Sequence, residues 1–107
     1  MIRVIVQRRC KRGAEADLER LLVELRIKAM QQKGYISGET LRSVEDPEDW
    51  LVISTWADND LWSAWNTSTE RKGITDRIRP LLAAPEKVSI YTFMRRGGGK
   101  SAHTIDI

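Results

Sequence analysis

The sequence predicts an α+β fold, in which helices cover one face of a single, mainly antiparallel sheet. The main observation is the order of the elements: segments typical of strands and helices follow one another as β-α-β-β-α(α)-β, without a repeat or a linker. Two of the strands are joined by a turn too short to hold a crossover helix, which indicates a hairpin. This split βαβ order is the ferredoxin-like arrangement, and 107 residues suffice for one such domain.

The first part of the chain predicts one strand and one long helix. The segment "IRVIVQRR" (2–9) is rich in β-branched residues, which favour a strand. Over 14–34 apolar residues recur at helical spacing, and Gly34 stands where a helix C-terminal cap belongs. The apolar stripe consists of Ala14, Leu18, Leu21, Leu22, Leu25 and Ala29.

The other three strands are also short segments bounded by turn residues. The hairpin strands are "SGETLRSV" (37–44) and "WLVISTW" (50–56), because the intervening "EDPED" is a polar turn. The last strand is "KVSIYTFM" (87–94).

Two helices are predicted before the last strand. Asp58 is a good N-cap for a helix over 59–66. Thr67 and Glu70 fit a capping box for a second helix. The apolar stripe of that helix consists of Ile74, Ile78 and Leu81, and Pro80 and Pro85 bound its end.

Apolar residues on both faces of the sheet predict a dimer. In one strand Leu51 and Ile53 alternate with Val52 and Trp56, so bulky side chains point to both sides. The helices can cover only one face. The other face is expected to pack against the same face of a second copy, forming a two-fold homodimer.

Composition and charge exclude several classes of function. The net charge is +3, and most basic residues have acidic neighbours, so a nucleic-acid partner is not indicated. The first strand has no aromatic residue on which a base could stack. One cysteine, Cys10, and one histidine, His103, cannot supply a zinc site.

The location and the limits of the domain are also expectations. No segment approaches the roughly 20 apolar residues of a membrane span. The start of the chain has too short an apolar run for a secretion signal, and the single cysteine fits a reducing compartment, so we expect a cytoplasmic protein. The domain spans 2–94, and the glycine-rich segment 95–107 is expected to be a flexible tail.

The second half of the chain resembles the antibiotic biosynthesis monooxygenase family. The resemblance lies in "WLVISTWADNDLWSAWNTSTERKGITDRIRPLLAAPEKVSIYTF", where a strand ends in Trp56 and an aromatic stands at position 62. Trp65 is followed by Ser68, then by "RIRPLL" and a final strand. The first half fits the same pattern less specifically, and together the resemblance covers 2–94.

The resemblance implies a dimeric α+β barrel with a small-molecule site between sheet and helices, lined partly by Trp65. Some members of the family oxygenate phenolic substrates without metal or flavin. By position, Trp65 and Gln7 are the expected catalytic residues, since an amide at Gln7 could donate to a substrate oxyanion. The candidates for binding the substrate are Trp62, Tyr35, Arg77 and Tyr91.

Another branch of the family degrades haem, and the resemblance argues against that activity. That branch uses an asparagine on the first strand, a tryptophan, and an iron-binding histidine ten residues further on. The corresponding positions here are Gln7, Trp65 and Thr75. Threonine cannot replace imidazole as an axial ligand.

Two functions follow from this reading. The first is a monooxygenase that acts on a small, apolar, quinol- or phenol-like molecule without a bound cofactor. The second is a non-catalytic dimeric module of the same fold, which binds a small ligand or a partner protein.

Overall fold

The computed structural model describes residues 1–94, and the predicted tail 95–107, with His103, lies outside the described residues. Residues 1–94 form one four-stranded sheet and three helices. The strands are β1 (Ile2–Arg9), β2 (Tyr35–Arg42), β3 (Asp49–Trp56) and β4 (Lys87–Thr92). The helices are α1 (Glu15–Met30), α2 (Asn59–Asn66) and α3 (Thr69–Ile78), and a 3-10 turn covers Arg79–Leu81. The predicted α+β, ferredoxin-like fold is confirmed.

All strand pairs of the sheet are antiparallel, and the strand order is β2-β3-β1-β4. The predicted hairpin is therefore β2 and β3, while β1 lies at the centre between β3 and β4. The edge strand β2 has a register shift between Tyr35 and Ser37, where one residue is unpaired with β3. Such a bulge bends an edge strand and increases its twist.

The side chains of β1 point alternately to the two faces of the sheet. Val4 and Val6 are buried beneath the helices, and their neighbours in register, Ser54 and Val52, point to the same side. We call this side the helix face. Helix α1 packs on it with the stripe Leu18, Leu21, Leu22, Leu25 and Ala29, all of them buried.

The other side of the sheet, the open face, carries apolar groups that no other element of residues 1–94 covers. Ile5, Leu51 and Ile53 are half-buried at its centre, and Leu41 and Tyr91 are exposed towards its two edges. The predicted apolar residues on both sides of the sheet are thus present.

Two helix boundaries differ from the predicted ones. Helix α1 ends at Met30 with Gln31 as its C-cap, and Gly34 instead takes a positive φ of 93° in the turn before β2. Ser68, not Thr67, is the N-cap of α3, where its hydroxyl accepts from the Arg71 N–H. The Thr67 hydroxyl donates to the Ser63 carbonyl and so completes the end of α2. Asp58 caps α2 as predicted.

Candidate functional site

A cavity opens between the helix face of the sheet, α1 and α2. Its volume is about 50 Å³, within about 520 Å³ of empty space that includes the mouth. The exposed members of the lining, Arg26, Glu39 and Thr40, lie on α1 and on the edge strand β2, so the mouth lies between these two elements. At the mouth Arg26 donates a hydrogen bond to the carbonyl of Gly38.

Aromatic side chains form one wall of this cavity. Trp56 lies between Tyr35 and Trp62, with ring centroids 5.5 Å and 5.6 Å away, and both pairs meet edge to face. Trp65 is 3% exposed and belongs to the same wall. Such edge-to-face pairs hold the rings in fixed orientations, so the wall is a rigid surface for a flat, apolar molecule.

The sequence places the two helical tryptophans in the wall for local reasons. The Asp58 carboxylate accepts from the Leu61 N–H at 2.8 Å, which fixes the start of α2. Trp62 and Trp65 then lie three residues apart on one side of α2 and are both buried. The opposite wall is aliphatic, with Leu22 and Leu25 of α1.

Two arginines and one carboxylate form the charged side of the cavity. Arg8 of β1 and Arg71 of α3 both line the cavity and both contact Glu86. The Arg8 Nε donates to Glu86 Oε2 at 3.0 Å, and the Arg71 Nη2 donates to Glu86 Oε1 at 3.4 Å. The Arg71 guanidinium also lies 5.5 Å from the ring centroid of Trp62, so it connects the charged group to the aromatic wall.

Glu86 reaches Arg8 because the segment after α3 runs along the end of β1. The Lys11 N–H donates to the Leu81 carbonyl at 2.9 Å, and the Ala83 N–H donates to the Arg9 carbonyl at 2.8 Å. These main-chain bonds bring the residues before β4 next to the last residues of β1. Glu86 therefore comes into contact with a side chain 78 positions earlier in the chain.

Arg8 is the most deeply buried charged group of the site. Its residue is 2% exposed, and burial lowers the pKa of its guanidinium, an effect that the carboxylate of Glu86 opposes and the charge of Arg71 reinforces. Within residues 1–94 its Nη1 has no hydrogen-bond partner. A buried donor without a partner is costly, and the large majority of buried polar groups in proteins have a partner.

Gln7 does not lie beside Trp65, contrary to the expectation from the resemblance. It follows Val6 and precedes Arg8, both of which point into the cavity, so its own side chain points to the open face. There its amide donates to Asp49 Oδ1 at 3.0 Å. On β1 it is the next residue, Arg8, that lines the cavity.

The four candidates for binding the substrate divide into two groups. Tyr35 and Trp62 line the cavity beside Trp65. Arg77 lies on the outer side of α3, where it pairs with Glu24 of α1 at 3.1 Å, and Tyr91 lies on the open face, 56% exposed. The structure therefore does not bring Arg77 or Tyr91 to the cavity.

Thr75, at the position of the iron-binding histidine in the haem-degrading branch, lines a different cavity. That second cavity has a volume of about 590 Å³ and lies between α3 and the segment that leads to β4. The Thr75 hydroxyl donates to the Lys72 carbonyl one turn earlier. Arg71 and Glu86 line the second cavity too, so Arg71 takes part in the walls of both.

The two arginines of the site were missed by sequence reasoning, although a local signal was present for each. In β1 the inward-facing positions Ile2, Val4 and Val6 continue in phase to position 8, so the alternation alone assigns Arg8 to the helix face. Arg71 lies three positions before Ile74 on α3, a spacing that places it on the buried side of that helix.

Two features are absent from the described residues. Within 1–94, no three His, Cys, Asp or Glu side chains converge in a way that could hold a metal ion. Over the same range, no helix combines the length and the apolarity needed to cross a bilayer.

Comparison with known proteins gives one family. Residues 1–77 match the model of the family described as antibiotic biosynthesis monooxygenase. Among curated proteins, protein SchA of Streptomyces halstedii is 26% identical over 80 residues, which are 75% of this chain. The chain spans only about a fifth of the length of protein SchA, because the matched region is 20% of it.

Solved structures with the same fold include oxygenases. A conserved protein from Methanosarcina mazei superposes with a TM-score of 0.80 at 21% identity, covering 84% of this chain and 89% of that one. SnoaB of Streptomyces nogalater, described as a cofactor-independent oxygenase, superposes with a TM-score of 0.77 at 18% identity, covering 89% and 95%. At these identities the likeness shows the fold.

Proposed function

The chain belongs to the antibiotic biosynthesis monooxygenase family, and on that premise we propose that it is a monooxygenase whose substrate binds in the cavity beside Trp65. The proposed substrate is a small quinol- or phenol-like aromatic molecule, and the proposed reaction uses no electron donor other than the substrate. The observation that carries the proposal is the aromatic-walled cavity itself, which opens to solvent at one edge of the sheet.

The cavity suits the end of a flat aromatic substrate. A cavity of about 50 Å³ is smaller than the roughly 150 Å³ that holds a whole benzene molecule, so part of a ring fits inside while the rest occupies the mouth. Trp62 and Trp65 offer flat apolar surfaces, and Leu22 and Leu25 close the opposite side. A substrate ring between these walls would exclude water from the carbon that reacts.

Polar groups on the lining could orient the oxygen of the substrate. The hydroxyl groups of Tyr35, Thr40 and Ser54 lie on residues that line the cavity, and Ser54 is already held by the indole N–H of Trp56 at 3.0 Å. A few fixed polar groups in an apolar cavity typically decide how a ligand is oriented.

The proposed reaction balances without another reactant. One quinol and one dioxygen give one hydroxyquinone and one water. One oxygen atom replaces a ring hydrogen, and the other leaves as water with two hydrogen atoms. The substrate loses a proton to become electron-rich and then supplies all the electrons that reduce dioxygen.

Oxygen uptake by the purified protein tests this proposal. The substrates are hydroquinones, naphthols and anthrones, and the spontaneous rate is subtracted. We expect turnover that falls by about tenfold or more in Trp65→Phe, because the smaller ring loosens the position of the substrate. Trp50→Phe is the matched control, since Trp50 is equally buried but lies outside the cavity, with its indole N–H bound to the Pro47 carbonyl.

Two results would speak against the proposal. Equal loss of turnover in Trp65→Phe and Trp50→Phe would place the reaction elsewhere. Tight binding of such aromatics without oxygen uptake would instead indicate the alternative function, a non-catalytic dimeric module that binds a small ligand.

A homodimer is part of the proposal. The apolar centre of the open face, with Ile5, Leu51 and Ile53, supports pairing of this face with a second copy. We also propose a cytoplasmic location, which is supported by a single free cysteine, Cys10, buried in the core.

A further inference from the structure

We propose that the Arg8 side of the cavity binds an anionic oxygen of the substrate, so that the substrate is a small aromatic molecule carrying a carboxylate or an ionised phenol. The inference rests on the proposed function for the location of the site and goes beyond it in naming the charge of the substrate. It follows from three observations on Arg8, Arg71 and Glu86.

The first observation is the balance of charge at the inner side of the cavity. Arg8 and Arg71 are 2% and 6% exposed, and they share the single carboxylate of Glu86. Among residues 1–94, this leaves one positive charge without a partner. Buried charges are normally paired, and a second anion at this place would complete the pairing.

The second observation is the donor that has no acceptor. Arg8 uses its Nε for Glu86, while its Nη1 is fully buried and has no partner among the described residues. A guanidinium presents its donors in a planar fork that matches the two oxygens of a carboxylate, and a single phenolate oxygen also accepts from it. A neutral ring oxygen would accept the hydrogen bond from this donor but would not balance the positive charge.

The third observation is that the same cavity offers a place for the ring. Arg71 lies against the ring of Trp62, and Trp62 and Trp65 line the cavity together with Arg8. A substrate with its acidic end at Arg8 would therefore have its ring against the indoles. Charge and apolar surface are thus arranged for a molecule with one anionic end.

The remaining charged groups of the lining lie at the mouth. Arg26 donates to the Gly38 carbonyl there, and Glu39 is exposed on the edge strand. Its register partner, Ile53, belongs to the open face, so the side chain of Glu39 points away from the cavity. The net charge that an incoming acid meets along the cavity is therefore positive.

Calorimetric titration of the full-length protein tests the inference without any turnover. The probes are two pairs of similar shape: benzoate with benzamide, and 4-nitrophenol above and below the pH at which it ionises. We expect the anionic member of at least one pair to bind about tenfold more tightly or better, as a charged hydrogen bond predicts. Preference for benzoate assigns a carboxylate, preference for the phenolate assigns an ionised phenol, and each supports the proposal.

Substitutions locate the effect. In Arg8→Met the charged and neutral probes should bind with about equal affinity, whereas Arg9→Met should keep the preference for the anion. Arg9 is the neighbouring residue on β1, but it lies on the open face and pairs with Asp46 at 2.9 Å. Circular dichroism of both variants checks that they are folded.

Either of two results would overturn the inference. Equal binding of the charged and neutral members of both pairs to the unmodified protein contradicts it, as does an anion preference that survives in folded Arg8→Met. Neither result depends on oxygen uptake, so a failure here would leave the proposed monooxygenase activity standing. Conversely, anion binding without turnover would remove the activity alone.

Discussion

The guanidinium of Arg8 lies 3.0 Å from the carboxylate of Glu86, although the two residues are 78 positions apart in the chain. This ion pair joins the central strand β1 to the segment that precedes the edge strand β4. Arg71 of α3 contacts the same carboxylate, so one acidic side chain holds two buried cations together. The wall of the cavity and the fold around it therefore depend on Glu86.

We expect unequal effects from removing the two partners of this ion pair. Glu86→Gln should lower the free energy of unfolding by about 3 kcal/mol, because it leaves two buried guanidinium groups without a carboxylate. Arg8→Met should change it by no more than about 1 kcal/mol, because Arg71 still balances Glu86 and one costly buried charge is gone. Urea unfolding of the two variants measures the difference. Equal losses, or a larger loss in Arg8→Met, would contradict this view of Glu86.

Substitution by alanine should have opposite effects on stability at two glycines. Gly34 has a φ of 93°, and an added Cβ would lie 2.7 Å from side-chain atoms of Leu61, so Gly34→Ala should destabilise by about 1 kcal/mol or more. Gly73 lies inside α3, and an added Cβ would meet nothing within 4 Å. Gly73→Ala should therefore stabilise by about 0.5–1 kcal/mol. Thermal unfolding of both variants checks the pair, and a shift of the same sign in both would refute it.

The buried thiol of Cys10 predicts a fall in stability at alkaline pH. Burial in the core raises the pKa of this thiol, and the nearby charge of Glu15 acts in the same direction. Below the ordinary thiol pKa of about 8.5 both folded and unfolded states are protonated, so Cys10 adds no pH dependence there. Above it the unfolded state releases its proton first, so stability falls with rising pH until the folded pKa is reached, by at most about 1.4 kcal/mol per pH unit.

Comparison with Cys10→Ala isolates this effect. Urea unfolding at pH 7 and at pH 9.5 should show a steeper loss of stability in the unmodified protein than in the variant. Other groups that titrate in this range contribute equally to both proteins. Identical slopes would mean that the thiol is not held protonated by the fold.

A charged side chain at the centre of the open face should break the dimer. Ile53 lies opposite Ile5 in register, half-buried even in a single chain. In sedimentation the unmodified protein should have about twice the 12.3 kDa mass of one chain, and Ile53→Glu should have the mass of one chain. Val23→Glu is the control, since Val23 is an exposed apolar residue of α1, which packs on the helix face and not on the open face. A folded monomer before any substitution would remove the dimer from the account.

The fold could be predicted from the sequence because its signals are local. The alternation in β1, the leucine stripe of α1 and the cap at Asp58 each act over a few residues, and the structure confirms all three. The caps predicted at Gly34 and Thr67 lie instead at Gln31 and Ser68, a few residues away or less. Helix ends are less sharply defined by the sequence than helix interiors.

The site was predicted only in part, for a reason that one strand makes clear. Trp62 and Trp65 line the cavity as expected, because helical spacing and the resemblance agree on the side of α2 that they occupy, and Tyr35 reaches the same cavity from β2. Their roles in a reaction stay predictions. Gln7 was assigned by family register, yet a strand changes face at every residue, so an error of one position moves a side chain to the other side of the sheet. The contact between Arg8 and Glu86 could not be predicted, because it depends on how distant segments pack.

The most direct test of the central claim is oxygenation with labelled dioxygen. The unmodified protein is incubated with the panel of hydroquinones, naphthols and anthrones under ¹⁸O₂, and the products are analysed by mass spectrometry. We expect one ¹⁸O atom in each product molecule, formed above the spontaneous rate and much more slowly by Trp65→Phe than by Trp50→Phe. Products that take their new oxygen from water, or no turnover of any member of the panel, would contradict it.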